Sequence, residues 1–66
     1  MIIVVNGKET DIPSGMSLLE FLDARGMSPD TLVVERNQEI VPGSAFGETR
    51  LVEGDRLEIL RVVGGG

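Results

Sequence analysis

The chain has no cysteine and no histidine. A disulfide scaffold, a zinc site of the usual Cys/His kind, thiol chemistry and any mechanism built on an imidazole base are excluded together. Tryptophan and tyrosine are absent too, and the only two aromatic residues are Phe21 and Phe46. The core must therefore be aliphatic, drawn from eight Val, seven Leu, five Ile and three Met. Basic charge is scarce: there is one lysine, Lys8, and the arginines do not cluster. Eleven acidic residues against six basic ones leave a net charge of −5. Nucleic-acid binding starts from a basic footprint, so that class falls away. An anionic membrane surface is disfavoured for the same reason. The acidity serves solubility, or docking on a basic partner surface. No apolar run reaches the length of a signal-peptide core or a membrane span, because Met1-Ile2-Ile3-Val4-Val5 soon meets Asn6-Gly7. A cytoplasmic location fits the missing cysteines.

What is there amounts to one small domain, since 66 residues leave no room for a second. The first apolar run is rich in β-branched residues and ends at Asn6-Gly7, the strongest short hairpin signal, because a type I′ turn needs positive φ at both central residues. Lys8 to Ile12 pairs back as a second strand, broken by Pro13-Ser14-Gly15. Ser17 and Glu20 have the spacing of a capping box. Leu18, Phe21 and Leu22 then share a helical face over about residues 18–25, with Arg25 in the last turn and Gly26 as the left-handed stop. Ser28-Pro29-Asp30 reads as one short turn, Leu32 to Arg36 as a third strand, and Asn37-Gln38 as the turn into a short strand, Glu39 to Val41. Residues 44–50 are a loop or one helical turn, Glu53-Gly54-Asp55 a tight turn, and Leu57 to Val63 the last strand. This order predicts an α+β fold of the β-grasp plan. It has a mixed sheet, first and last strands parallel neighbours, and one main helix packed on one face. Residues 1–63 form the domain, and 64–66 a flexible tail.

Little of this sequence looks catalytic. The carboxylate pairs Glu53/Asp55 and Glu9/Asp11 read as a solvated turn and a solvated strand face, with no phosphate-binding loop beside them. Met16 and Met27 read as core filling. Phe46 either covers the end of the core or stands ready for a partner. The odd feature is Gly64-Gly65-Gly66. Glycines after a strand cannot strengthen it, since glycine loses the most entropy on ordering. A tail without side chains can, however, thread a narrow channel and pair there through its backbone. It would carry the Gly66 carboxylate to another protein's active site. A carboxylate is a poor acyl donor until a nucleotide-using partner activates it. Once activated it can accept an amine, giving an isopeptide tag, or sulfur, giving a thiocarboxylate.

Strand alternation supplies a second candidate site. If Ile3, Val5, Leu57 and Ile59 face the helix, then Ile2, Val4, Leu60 and Val62 face outward. On adjacent strands these four are expected to adjoin, with Val33 beside them and Glu35 and Glu58 on the rim, as a partner-binding surface.

A resemblance joins these features. The string Val34-Glu35-Arg36-Asn37-Gln38-Glu39-Ile40-Val41-Pro42 leads to Thr49 with Leu51, then to Glu53-Gly54-Asp55-Arg56-Leu57-Glu58-Ile59, and closes on Val62-Val63-Gly64-Gly65-Gly66. Together with Val5-Asn6-Gly7 and Ser17-Leu18-Leu19-Glu20, it resembles the ThiS family of sulfur carrier proteins of thiamine biosynthesis over almost the whole chain. The resemblance implies a ubiquitin-like fold and a protein co-substrate rather than an enzyme. It implies that an adenylyltransferase of the ubiquitin-activating type uses ATP and Mg²⁺ to adenylate Gly66. A sulfur donor fed by a cysteine desulfurase would then convert Gly66 to a thiocarboxylate, and thiazole synthase would take the sulfur. Gly65 and Gly66 match the family's reactive tail, and Gly64 is a frequent companion. No cofactor is expected to be bound, and the free chain is expected to be a monomer. Other readings are the small subunit of molybdopterin synthase, a ubiquitin-like protein modifier, and a β-grasp interaction module whose glycines are only a tail.

Overall fold

A computed structural model describes residues 1–62. The expected tail, Gly64 to Gly66, and Val63 before it lie outside the described residues. Among the described residues are five strands and one α-helix: β1 (Ile2–Val5), β2 (Lys8–Asp11), α1 (Leu18–Ala24), β3 (Leu32–Arg36), β4 (Glu39–Val41) and β5 (Arg56–Arg61). Short 3-10 turns cover Pro29–Thr31 and Gly43–Ala45. The sheet order is β2-β1-β5-β3-β4, with β1 and β5 parallel and every other pair antiparallel. This is the β-grasp arrangement expected from the element order, and β5 lies at its centre.

Local chemistry explains each boundary. Asn6 and Gly7 have φ of 50° and 82°, the left-handed pair that a type I′ turn requires. At the helix start Ser17 is the N-cap. Its hydroxyl accepts from the Glu20 amide at 3.1 Å, and its own amide donates to the Glu20 carboxylate at 2.8 Å. The Ser17 backbone amide, then the Ser17 side chain, lowers the Glu20 carboxyl below its ordinary value. The two remaining first-turn amides donate to a distant loop, Leu18 to the Thr49 carbonyl and Leu19 to the Phe46 carbonyl. At the other end the Gly26 amide donates to the Asp23 carbonyl and the Met27 amide to that of Leu22, with Gly26 at φ 69°. Arg25 is the C-cap rather than a last-turn residue, and its guanidinium lies 5.0 Å from the centre of the Phe21 ring.

The helix buries Leu18, Phe21 and Leu22 against Ile3, Val34, Leu57 and Ile59 from the sheet, with Ile12, Phe46 and Leu51 closing the ends. Phe46 is therefore core. Met16 and Met27 pack at the margin of the same cluster, as gap-filling methionines do. The last strand starts at Arg56, one residue earlier than expected, and its assigned span ends at Arg61.

One expectation is overturned here. Asp55 is not part of a solvated turn; it is buried, with 3% of its surface exposed. Its carboxylate accepts from the Arg36 guanidinium at 3.0 Å, the Asn37 side-chain amide at 3.0 Å and the Val52 backbone amide at 2.9 Å. A buried carboxylate must find partners, and two of these, both side chains, come from a hairpin 18 and 19 residues away that the local sequence does not reveal. Its neighbour Glu53 stays exposed and accepts from the Ile2 amide at 2.9 Å.

Candidate functional site

β5 is the element that leads into the glycine tail, so its anchoring decides where the tail starts. At its N-terminal end Asp55 ties the strand to the β3–β4 hairpin. Burial pushes the Asp55 carboxyl up, but the Val52 amide, the Asn37 side chain and the Arg36 guanidinium outweigh it and hold the carboxyl below the usual range. Asn37 also accepts from the Arg56 amide at 2.9 Å, locking the first residue of β5. In mid-strand the Asn6 side chain accepts from the Ile59 amide at 2.8 Å and donates to the Ile59 carbonyl at 3.3 Å. At the far end the Val62 amide donates to the Thr31 carbonyl at 2.7 Å. The chain is thus held by the sheet up to Val62, and Gly66 follows four residues later.

The outer face of the sheet carries the expected apolar residues, but they fall into two groups. In the parallel register Val4 lies opposite Arg56, not Leu60. Leu60 is four residues further along β5, about 13 Å at the usual rise per residue. Ile2 and Val4 therefore sit among Asp11, Glu9 and Arg56. Leu60 lies directly opposite Val33, with Val62 just beyond. The expected single patch of Ile2, Val4, Leu60 and Val62 does not form, because alternation assigns a face to each residue but not a position along the neighbouring strand. The larger group has a member that the sequence reading missed. Ile40 on β4 lies opposite Glu35, on the same face, and is 68% exposed. Leu60 is 60% exposed and Val62 51%, while Val33 is half-buried. The alternation of β4 was the signal that could have found Ile40.

Beside this group Glu35 and Glu58 face each other directly across β3 and β5. Like charges in opposed positions are destabilising. Neither makes a salt bridge among the described residues. Nor do the described residues contain a cluster of three or more potential metal ligands or a detectable pocket. No described helix is long and apolar enough to cross a membrane. What the described surface offers is an apolar patch with two uncompensated carboxylates, next to a strand that runs into the tail.

Comparison with known proteins matches residues 3–66 to the model of the ThiS family. Over its whole length the chain is 38% identical to a protein named thiazole synthase from Paramagnetospirillum magneticum and 33% identical to one from Magnetococcus marinus. It spans 20% of the length of each. Among solved structures, the crystal structure of the thiamine biosynthesis protein ThiS from Geobacter metallireducens superposes with a TM-score of 0.86. That pair is 32% identical, and the match covers 100% of both chains.

Proposed function

The chain belongs to the ThiS family, and on that premise we propose that it is a sulfur carrier whose Gly66 carboxyl group is the loaded position. The observation that carries this reading is the family match through Gly66 in a chain without cysteine. A partner adenylyltransferase joins the Gly66 carboxylate to the α-phosphate of ATP, with Mg²⁺, and pyrophosphate leaves. The terminal sulfur of a donor fed by a cysteine desulfurase then attacks the acyl carbon and AMP leaves; a thiol reductant cleaves the remaining sulfur–sulfur bond to the donor, leaving a thiocarboxylate. Thiazole synthase accepts that sulfur for thiamine biosynthesis. A thiazole synthase partner is supported by two proteins of that name, each of which matches this chain over a fifth of its own length. The chain itself performs no catalysis in this scheme. Its residues 1–63 present the substrate group, and Gly64 to Gly66 thread the partner's channel without side chains to obstruct it.

Leu60, Val33, Val62 and Ile40 form the surface proposed to dock on the adenylyltransferase, with Glu35 and Glu58 drawing in a basic partner surface. Ile2 and Val4, at the other end of the sheet, belong to a separate and smaller contact. The deciding experiment is intact mass after incubation with the adenylyltransferase, ATP, Mg²⁺ and a sulfur source. The expected product is heavier by the exchange of one oxygen for sulfur, localised to Gly66. A chain lacking Gly66 should fold normally and gain nothing. Sulfur transfer to that truncated chain would overturn the proposal.

A further inference from the structure

β5 is flanked unequally by its two neighbours. On one side the Asn37 amide donates to the Arg56 carbonyl and the Val62 amide donates to the Thr31 carbonyl. Antiparallel ladders alternate, so residues 56, 58, 60 and 62 exchange bonds with β3, and the odd residues point to the other side. There the Asp55 and Leu57 carbonyls accept from the Val4 and Asn6 amides at 2.8 and 2.9 Å. β1 then turns away at Asn6-Gly7. Its place beside Ile59 is taken by the Asn6 side-chain amide, which bonds both the N–H and the C=O of Ile59. One step further, Arg61 is opposed on the β3 side by Leu32 in a non-hydrogen-bonded position. On the β1 side the strand has already left. Among the described residues, none bonds the Arg61 N–H or C=O.

We propose that this open edge at Arg61 receives an extended strand of the activating enzyme, which adds to the sheet beside β5 beyond the Asn6 side chain. The inference rests on the sulfur-carrier reading and names where the tail-handling partner takes hold. Three observations favour that occupant. Arg61 lies five residues before Gly66, about 16 Å of extended chain, so a strand set in register here would aim the reactive group. Exposed Leu60 and Val62 flank Arg61 and offer side chains to partner pockets, while the main chain supplies the pairing. The other two sheet edges are poor templates. β2 carries Lys8, Glu9 and Asp11 in four residues, and β4 has three residues and is followed by Pro42.

The test compares Arg61→Pro, which deletes the N–H on the open edge, with Arg61→Ala, which keeps it. Proline is tolerated in strands where the N–H faces solvent, so both variants should fold. Adenylation by the partner is expected to show a KM for the carrier raised about five- to tenfold in Arg61→Pro, as for one lost hydrogen bond. The change in Arg61→Ala should be under about threefold. Equal kinetics for the two variants would overturn the edge while leaving the carrier function intact. Absence of adenylation in the unmodified chain would overturn the carrier function itself, and the edge with it. Amide exchange on the unmodified chain decides the matter if Arg61→Pro does not fold. The Arg61 amide should exchange at least about tenfold more slowly in the complex than alone, while Ile59 is protected in both. No slowing at Arg61 in the complex sinks the proposal. So does protection that rises with the concentration of the free chain, because the edge would then pair with a second copy.

Discussion

Asp55 shows how much one side chain can organise. It joins the loop before β5 to the β3–β4 hairpin through two hydrogen bonds, takes a third from Val52 within the loop, and Asn37 passes the connection on to Arg56. Arg36 continues it, donating to the Arg50 carbonyl at 3.1 Å. Replacing Asp55 with Asn removes the charge and places an amide where donors converge. We expect a loss of roughly 1.5–3 kcal/mol, as for hydrogen bonds to a charged group, read from urea midpoints near neutral pH. The pH dependence has a definite sign. The folded carboxyl is held below its ordinary value of 3.8, so its contribution is complete above that pH. It is lost as pH falls from there through the folded value. The variant and the unmodified chain should therefore converge in stability in strong acid. A gap that stays constant below pH 3.8 would mean that the carboxylate is not the source of the difference. Asn6 is the second such residue. Its place in the turn was legible from Asn-Gly, but the use of its side chain in place of a strand depends on Ile59, 53 residues away.

At the scale of elements, the helix and the hairpins were legible because their signals are local. The capping box, the apolar face and the glycine stop all lie within ten residues, and the helix forms as they indicate. It is only seven residues long, too short to persist alone, and the Thr49 and Phe46 carbonyls hold its first turn. The β3–β4 turn was placed correctly, yet its backbone is costly. Asn37 has φ 52° and Gln38 has φ 72°, and glutamine has no special tolerance for that region. Gln38→Gly should therefore stabilise the protein by about 1 kcal/mol, measured as a shift of the thermal midpoint to higher temperature. A lower midpoint would show that the Gln38 side chain makes a contribution exceeding the backbone cost. Of the two carboxylates in the Glu53-Gly54-Asp55 turn, Asp55 was misjudged, because the turn itself gives no sign that it finds partners on β3 and the turn after it.

For the whole molecule the decisive quantity is the strand register. It divides the outward-facing residues into Ile2 and Val4 at one end and Leu60, Val33, Val62 and Ile40 at the other. Leu60→Asp should leave the fold intact, since the side chain is mostly exposed. It should raise the KM for adenylation about tenfold if this group is the docking surface. A folded variant with unchanged kinetics would remove Leu60 from that surface. By itself the sequence determined the aliphatic core, the absence of thiol and imidazole chemistry, the order of elements and the two faces of each strand. These follow from composition, from short-range turn chemistry and from a two-residue period. Only the tertiary structure decided the alignment of β1 with β5, the burial of Asp55 and the open edge at Arg61. Each of these depends on groups brought together across tens of residues, where the pairing register is set by the packing of the whole sheet on its helix rather than by any local pattern.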